Sequence, residues 1–304
     1  MGIYQQIQKN KINTALLFSG FILLIVAVVY GIAIALDPEL AYATAAIALI
    51  VTLVGSFFSY FHSDKILLKM SDARPVSKEM EPHLYQTIED VAVAAGIPTP
   101  KAYVIETDVP NAFATGRNPD NSAVAVTRGL MKILNKDEME GVVAHEMAHI
   151  KNYDILFTTL AIVFTGILVY LSRILSRMFF AGGGRMRGGG RGGAAQLVIL
   201  LVIGIVTVVI APLAAKMAQM AISRNREYLA DATAADILGG SLGLASALKK
   251  LDKHSNPAKA VQDGFANEAN AGLFIVNPLK AASADSLFST HPPINERVER
   301  LRKM

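Results

Sequence analysis

The sequence predicts a mainly α-helical membrane protein carrying an α+β domain with a small β-sheet, and three observations support this. Apolar residues make up 52% of the 304-residue chain and charged residues only 18%, and the apolar excess is gathered into runs instead of being spread evenly. Between the runs lie short β-rich stretches and a segment whose apolar residues recur every three or four positions. A further segment, opened by a helix-start signal, carries paired histidines one helical turn apart.

Residues 14–36 and 40–61 each hold roughly 22 residues without a charge, enough at about 1.5 Å per residue to cross a hydrocarbon core of about 30 Å. Both are predicted transmembrane helices. Asp37, Pro38 and Glu39 between them are a helix breaker flanked by acids, which makes the pair a hairpin. The first run exceeds the core of a cleavable signal peptide, although Ala41-Tyr42-Ala43 mimics a cleavage site; an uncleaved anchor is expected. Lys9 and Lys11 precede the hairpin and Lys65, Lys69, Arg74 and Lys78 follow it, so the positive-inside rule puts both flanks in the cytoplasm.

After the hairpin, residues 77–95 place Met80, Leu84, Ile88, Val91 and Ala95 on one helical face, and Gly96 and Pro98 end the pattern. Residues 102–105 and 122–127 are β-rich and are separated by Pro110, Gly116 and Pro119, which predicts a small sheet. Asn135 followed by Glu138 is a capping-box signature opening a helix that reaches at least Lys151. Two more apolar runs follow, 155–171 and 194–215, joined by a Gly- and Arg-rich linker. If both span the bilayer, Arg173, Arg177, Arg185, Arg187 and Arg191 lie outside, against the positive-inside rule; spanning is expected, and a re-entrant or protein-buried pair is the alternative. Helices are expected over 217–238, 242–251 and 294–302, with 256–285 a loop.

Composition also excludes function classes. The chain has no cysteine, so disulfides, thiolate metal sites and a cysteine nucleophile are out, and any metal must be held by His and carboxylate. The net charge of +4 is dispersed or sits beside apolar runs, which favours the lipid bilayer over nucleic acid as counterpart. The glycine-rich linker is followed by no Gly-Lys-Ser/Thr and preceded by no strand, so no nucleotide is expected.

His145-Glu146-Met147-Ala148-His149 is the pattern His-Glu-x-x-His on a predicted helix. Residues four apart share a face, so both imidazoles can reach one Zn²⁺ at about 2.0–2.1 Å, and Glu146 beside them can act as general base for a Zn-activated water. A catalytic zinc needs a third protein ligand and one open position. His62, His83, His254 and His291 are available, and so is Glu227, in a predicted helix with Asp231 one turn on; such an Asp can orient a ligand histidine.

The His-Glu-x-x-His helix, the downstream Ser223-Arg224-Asn225-Arg226-Glu227 with Asp231, the leading hairpin and the second apolar pair together resemble the HtpX family of bacterial membrane zinc metalloproteases, relatives of the CAAX prenyl proteases. The resemblance covers nearly the whole chain. It implies a zincin-like catalytic domain with one Zn²⁺ per chain, His145, His149 and Glu227 as ligands, Glu146 as general base and Asp231 behind a ligand. It also implies that Asn111, Ala112, Phe113 and Ala114 belong to an edge strand that pairs with extended substrate, and that His291 and Arg297 stabilise the oxyanion. The Gly- and Arg-rich linker departs from the family pattern.

Four parts are therefore expected: a hairpin (1–62), a cytosolic first part of the catalytic domain (63–154), a second hydrophobic pair (155–216) and a cytosolic second part (217–304). The short spacing from His149 to residue 155 puts zinc near the cytosolic surface of the membrane. The family implies a multi-pass inner-membrane endopeptidase that clips misfolded membrane proteins or unfolded chains. The alternatives are a protease restricted to lipidated C-termini and a non-enzymatic scaffold with structural zinc.

Overall fold

Helices α1 (Ile3–Leu36) and α2 (Ala41–Met70) open the chain in the computed structural model, which describes residues 3–36, 38–164, 224–254, 275 and 292–304. Both exceed the apolar runs that announce them: α1 begins on the polar side of Lys9 and α2 continues past Phe61 through Lys65 and Lys69. Nothing in residues 62–70 breaks a helix, so the backbone hydrogen-bond ladder runs on into the polar region. Only 17% of each apolar window is buried, and Leu16, Leu23, Ile50, Val54 and Phe57 point outward. A soluble core helix would bury such a face; these two helices leave it exposed and are long and apolar enough to cross a membrane.

Next come β1 (Ala73–Pro75), α3 (Pro82–Ala95), β2 (Lys101–Ile105), β3 (Ala112–Asn118) and β4 (Asn121–Thr127). Helix α3 starts five residues later than its periodicity suggests, because Pro82 occupies the first turn, where a missing N–H costs nothing. The strands form one mixed sheet in the order β1-β2-β4-β3, with β2 and β4 parallel and both edge pairs antiparallel. Strand β1 is three residues long and ends in proline, too short for a period to show in sequence.

After a short α4 (Arg128–Ile133), α5 (Lys136–Lys151) opens on the expected box: Asn135 Oδ1 accepts from Glu138 N–H and Glu138 Oε2 accepts from Asn135 N–H. Helix α5 is central. Its Val142, Val143, Met147 and Ile150 pack with Leu84 and Ile88 of α3, Val124 and Val126 of β4, Ala234 of α7 (Arg224–Leu238), Leu248 of α8 (Leu242–His254) and Val298 of α9 (Ile294–Leu301), once α6 (Ile155–Phe164) has been passed in chain order.

The hairpin is fastened to this domain near α5's end. Asn10 Nδ2 donates to Asn152 O at 3.0 Å, and Leu17 and Phe21 of α1 pack on Phe157, Leu160 and Phe164 of α6. The Thr115 and Thr159 hydroxyls meet at 3.1 Å, joining β3 to α6. The expected second hydrophobic pair lies outside the described residues except for 155–164, as do its linker, residues 217–223 and most of the 256–285 loop.

Candidate metal centre

Helix α5 delivers His145, Glu146 and His149 to one buried place because it is clamped on several sides by the core. Glu227 arrives from the first turn of α7, an element far along the chain that packs on α5. His145 Nε2 and His149 Nε2 are 3.2 Å apart, Glu227 Oε2 is 3.5 Å from the first and Glu227 Oε1 is 3.7 Å from the second. A tetrahedral zinc with bonds near 2.0–2.1 Å requires donors about 3.3 Å apart, so two imidazoles and a carboxylate in this arrangement fit the ion. Among the described residues this is the one group of three or more His, Asp and Glu donors close enough to share a metal.

The far side of each ring is also held. His145 Nδ1 is 3.1 Å from Asp231 Oδ1, and His149 Nδ1 is 3.0 Å from Asp154 Oδ2. A carboxylate on Nδ1 fixes the proton there and leaves the Nε2 lone pair for the metal. Asp154 is the functional residue that sequence reasoning misses; its signal was the fifth position after His149, beyond the end of the helix. Arg226 Nε lies 3.8 Å from the same carboxylate.

Arg297 is fully buried and grips Asp231 with one edge of its guanidinium, Nε to Oδ2 at 2.9 Å and Nη2 to Oδ1 at 2.7 Å, while Nη1 is 3.5 Å from Glu227 Oε2. This cluster sets the charges of the site. Burial alone would push the Asp231 carboxyl up, but Arg297 and His145 outweigh it and bring it down to about 2. Burial would lower His149, yet the Asp154 carboxylate pushes it up to about 10. Burial also raises Glu146, opposed by His145, His149 and the N–H of Ala114.

That N–H locates the sheet relative to the site. Strand β3 is an edge, and Ala114 N–H, on the side away from β4, donates to Glu146 Oε2 at 2.7 Å. The other three edge residues turn elsewhere: Ala112 and Phe113 are buried in two different clusters, and Asn111 is bound to Thr127 and accepts from Ile275 N–H at its Oδ1. The structure thus brings Ala114 to the site and leaves Asn111, Ala112 and Phe113 packed beside it. His291 lies outside the described residues.

Comparison with known proteins gives a concordant result. The pattern of Peptidase family M48 matches residues 78–304. "Protease HtpX homolog" of Thermococcus sibiricus is 46% identical over 84% of this chain and 85% of its own length. The protein of the same name from Streptococcus gordonii is 40% identical over 99% of this chain and its full length, and that from Pelotomaculum thermopropionicum is 48% identical over 84% and 87%. The crystal structure of Ste24p from S. mikatae superposes with a TM-score of 0.51 at 19% identity, covering 98% of this chain and 66% of that one; this is a likeness of fold.

Proposed function

The chain belongs to peptidase family M48, within its HtpX group, and from that premise we propose that it is an integral-membrane zinc endopeptidase acting on exposed segments of misfolded or damaged membrane proteins. The observation that carries this reading is the donor triangle of His145, His149 and Glu227 with Glu146 alongside, its carboxylate accepting from Ala114 N–H on the edge strand β3. One zinc bound there would polarise the scissile carbonyl and make a water easier to deprotonate.

The protein's own groups do the rest. Glu146 takes the proton of the attacking water and returns it to the leaving amine, a double duty helped by a carboxyl that burial has raised toward neutrality. Asp231 and Asp154 hold the two imidazoles in register. In this reading extended substrate pairs with the backbone of Asn111 to Ala114, at the start of the edge strand β3, so main-chain hydrogen bonds supply affinity with little demand on sequence. Arg297 and His291 are the proposed oxyanion donors; the support for Arg297 is a buried guanidinium whose Nη1 has no hydrogen-bond partner among the described residues.

The same reading keeps the four-part organisation, with both parts of the catalytic domain in the cytoplasm and α1 and α2 in the inner membrane. Its support is the flank of lysines and arginines around the hairpin and the Asn10–Asn152 bond, which holds the metal helix at the level where α1 enters the bilayer.

The test uses purified full-length chain in detergent with zinc, offered an unfolded protein, the same protein folded, and a prenylated peptide. Because a strand edge captures only extended chain, the unfolded protein should be cut at least about tenfold faster than the other two. Preferential cutting of the prenylated peptide would contradict the quality-control reading.

A further inference from the structure

Away from the metal centre, the end of α2 and the β3–β4 turn enclose a cavity of about 400 Å³ lined by Lys65, Lys101, Arg117 and Asn121, with Asp64 as the one acid on its wall. That volume falls in the range of about 300–1,000 Å³ seen for small-ligand sites. None of the three cations is ion-paired among the described residues. The cavity is therefore polar, concave and net positive.

Its depth is set by α2. From Ala41 to Phe61 the helix rises about 30 Å, the thickness of a hydrocarbon core, so Asp64 and Lys65 emerge at the headgroup level. Directly below, Val54, Phe57 and Phe58 are exposed. Arg117 is brought there from the sheet by a β-bulge: the register passes from Gly116 to Asn118 and skips it. Gly116 is required at the bulge, with φ of 143° and a Cβ position that would run into Asn121 O. Re-aimed, the Arg117 guanidinium lies 5.0 Å from the Phe61 ring centroid and Nη1 reaches Phe61 O at 3.5 Å. A planar, fork-shaped cation is thus parked on the last aromatic of the apolar face.

We propose that this cavity is a headgroup site for an anionic phospholipid. The phosphodiester is held by Arg117, Lys65 and Lys101, and the acyl chains run down the exposed face of α2 over Phe57 and Phe58. Unneutralised positive charge at the edge of hydrocarbon calls for an anion, and the continuous apolar face below calls for an anion with tails. The proposal rests on the hairpin spanning the bilayer.

The test is native mass spectrometry of the full-length chain in detergent, titrated with phosphatidylglycerol and with phosphatidylcholine of the same acyl chains. Wild type should retain one phosphatidylglycerol in preference to phosphatidylcholine. At about fivefold per cation, Lys101→Gln at its exposed position should weaken retention about fivefold, and Lys65→Gln/Lys101→Gln/Arg117→Gln on the order of 100-fold. A control that removes equal charge elsewhere, Lys132→Gln/Lys249→Gln/Lys253→Gln, should bind as wild type. Equal retention of the two lipids, or unchanged retention by both Lys101→Gln and the triple variant, would overturn the proposal. Displacement by inorganic phosphate would also overturn it, assigning the site to a soluble anion. Alkaline carbonate extraction is read in parallel: wild type released from the membrane would remove the spanning reading and the lipid site with it, whereas lost lipid preference in a retained protein removes the lipid site alone.

Discussion

His149 is held from behind by Asp154, a residue 1% exposed that lies just beyond the end of the metal helix. On a continuing helix the fifth residue would point well off the ligand face. The chain instead turns at Asn152 and at Tyr153, whose φ of 58° is left-handed, and this brings the carboxylate back under the ring. Asp154→Asn keeps the shape and removes the charge, so zinc affinity should fall about 10- to 100-fold by competition with a chelating indicator. Unchanged affinity would make Asp154 a bystander. The pairing of His145 with His149 and the place of Glu146 beside them were legible in the sequence because one helical turn is a local relation. Asp154 was not, because its position depends on a turn that no hydrophobic period announces, and neither was the bidentate grip of Arg297 on Asp231, which joins residues of two separate helices.

Helix α5 is aimed by its first turn and by a close crossing. Glu138, 3% exposed, accepts from Asn135 N–H, from Ser246 Oγ at 2.7 Å and from Lys250 Nζ at 2.6 Å, so the capping box also fastens α5 to α8. Burial pushes this carboxyl up, but Lys250, Asn135 and Ser246 together bring it below its ordinary value. A carboxyl whose folded pKa is depressed contributes stability that is complete above its unfolded value of about 4.3 and is lost as pH falls through the folded value. The thermal midpoint in detergent should therefore drop on acidification below about pH 4.3. Glu138→Gln should start lower, by about 1–3 kcal/mol, and show less of that acid dependence; an identical acid profile would contradict the assignment. Three residues on, a Cβ at Gly141 would meet Leu244 N at 2.5 Å and Leu244 Cα at 2.8 Å. Gly141→Ala gains up to about 1 kcal/mol of helix propensity, yet overpacking of backbone on backbone should cost about 1–3 kcal/mol and lower the midpoint. A raised midpoint would show that α8 can yield. The capping box was readable from Asn135 and Glu138 alone; the need for Gly141 was not, since a helix-interior glycine carries no sign of what crosses it.

At the scale of the whole molecule, two long apolar helices precede a domain whose helix α5 is tied to α1 at Asn152 and to the edge strand β3 at Glu146. The hairpin was plain in the sequence because membrane solvent demands long uncharged runs, and α5, β2 and β4 followed from local pattern. Strand order was not, because β2 and β4 pair in parallel across the intervening β3, and only tertiary packing determines which strand is left at the edge. In the proposed function, that edge is what would let the His145, His149 and Glu227 cluster act on extended polypeptide. The most direct test of the central claim measures zinc content and cleavage of an unfolded protein together, for wild type and Glu146→Gln purified in detergent with zinc. The expected result is one zinc in each, with the variant cutting about 10²- to 10⁴-fold more slowly; a variant that cuts as fast as wild type, or a wild type that holds no zinc, would contradict it.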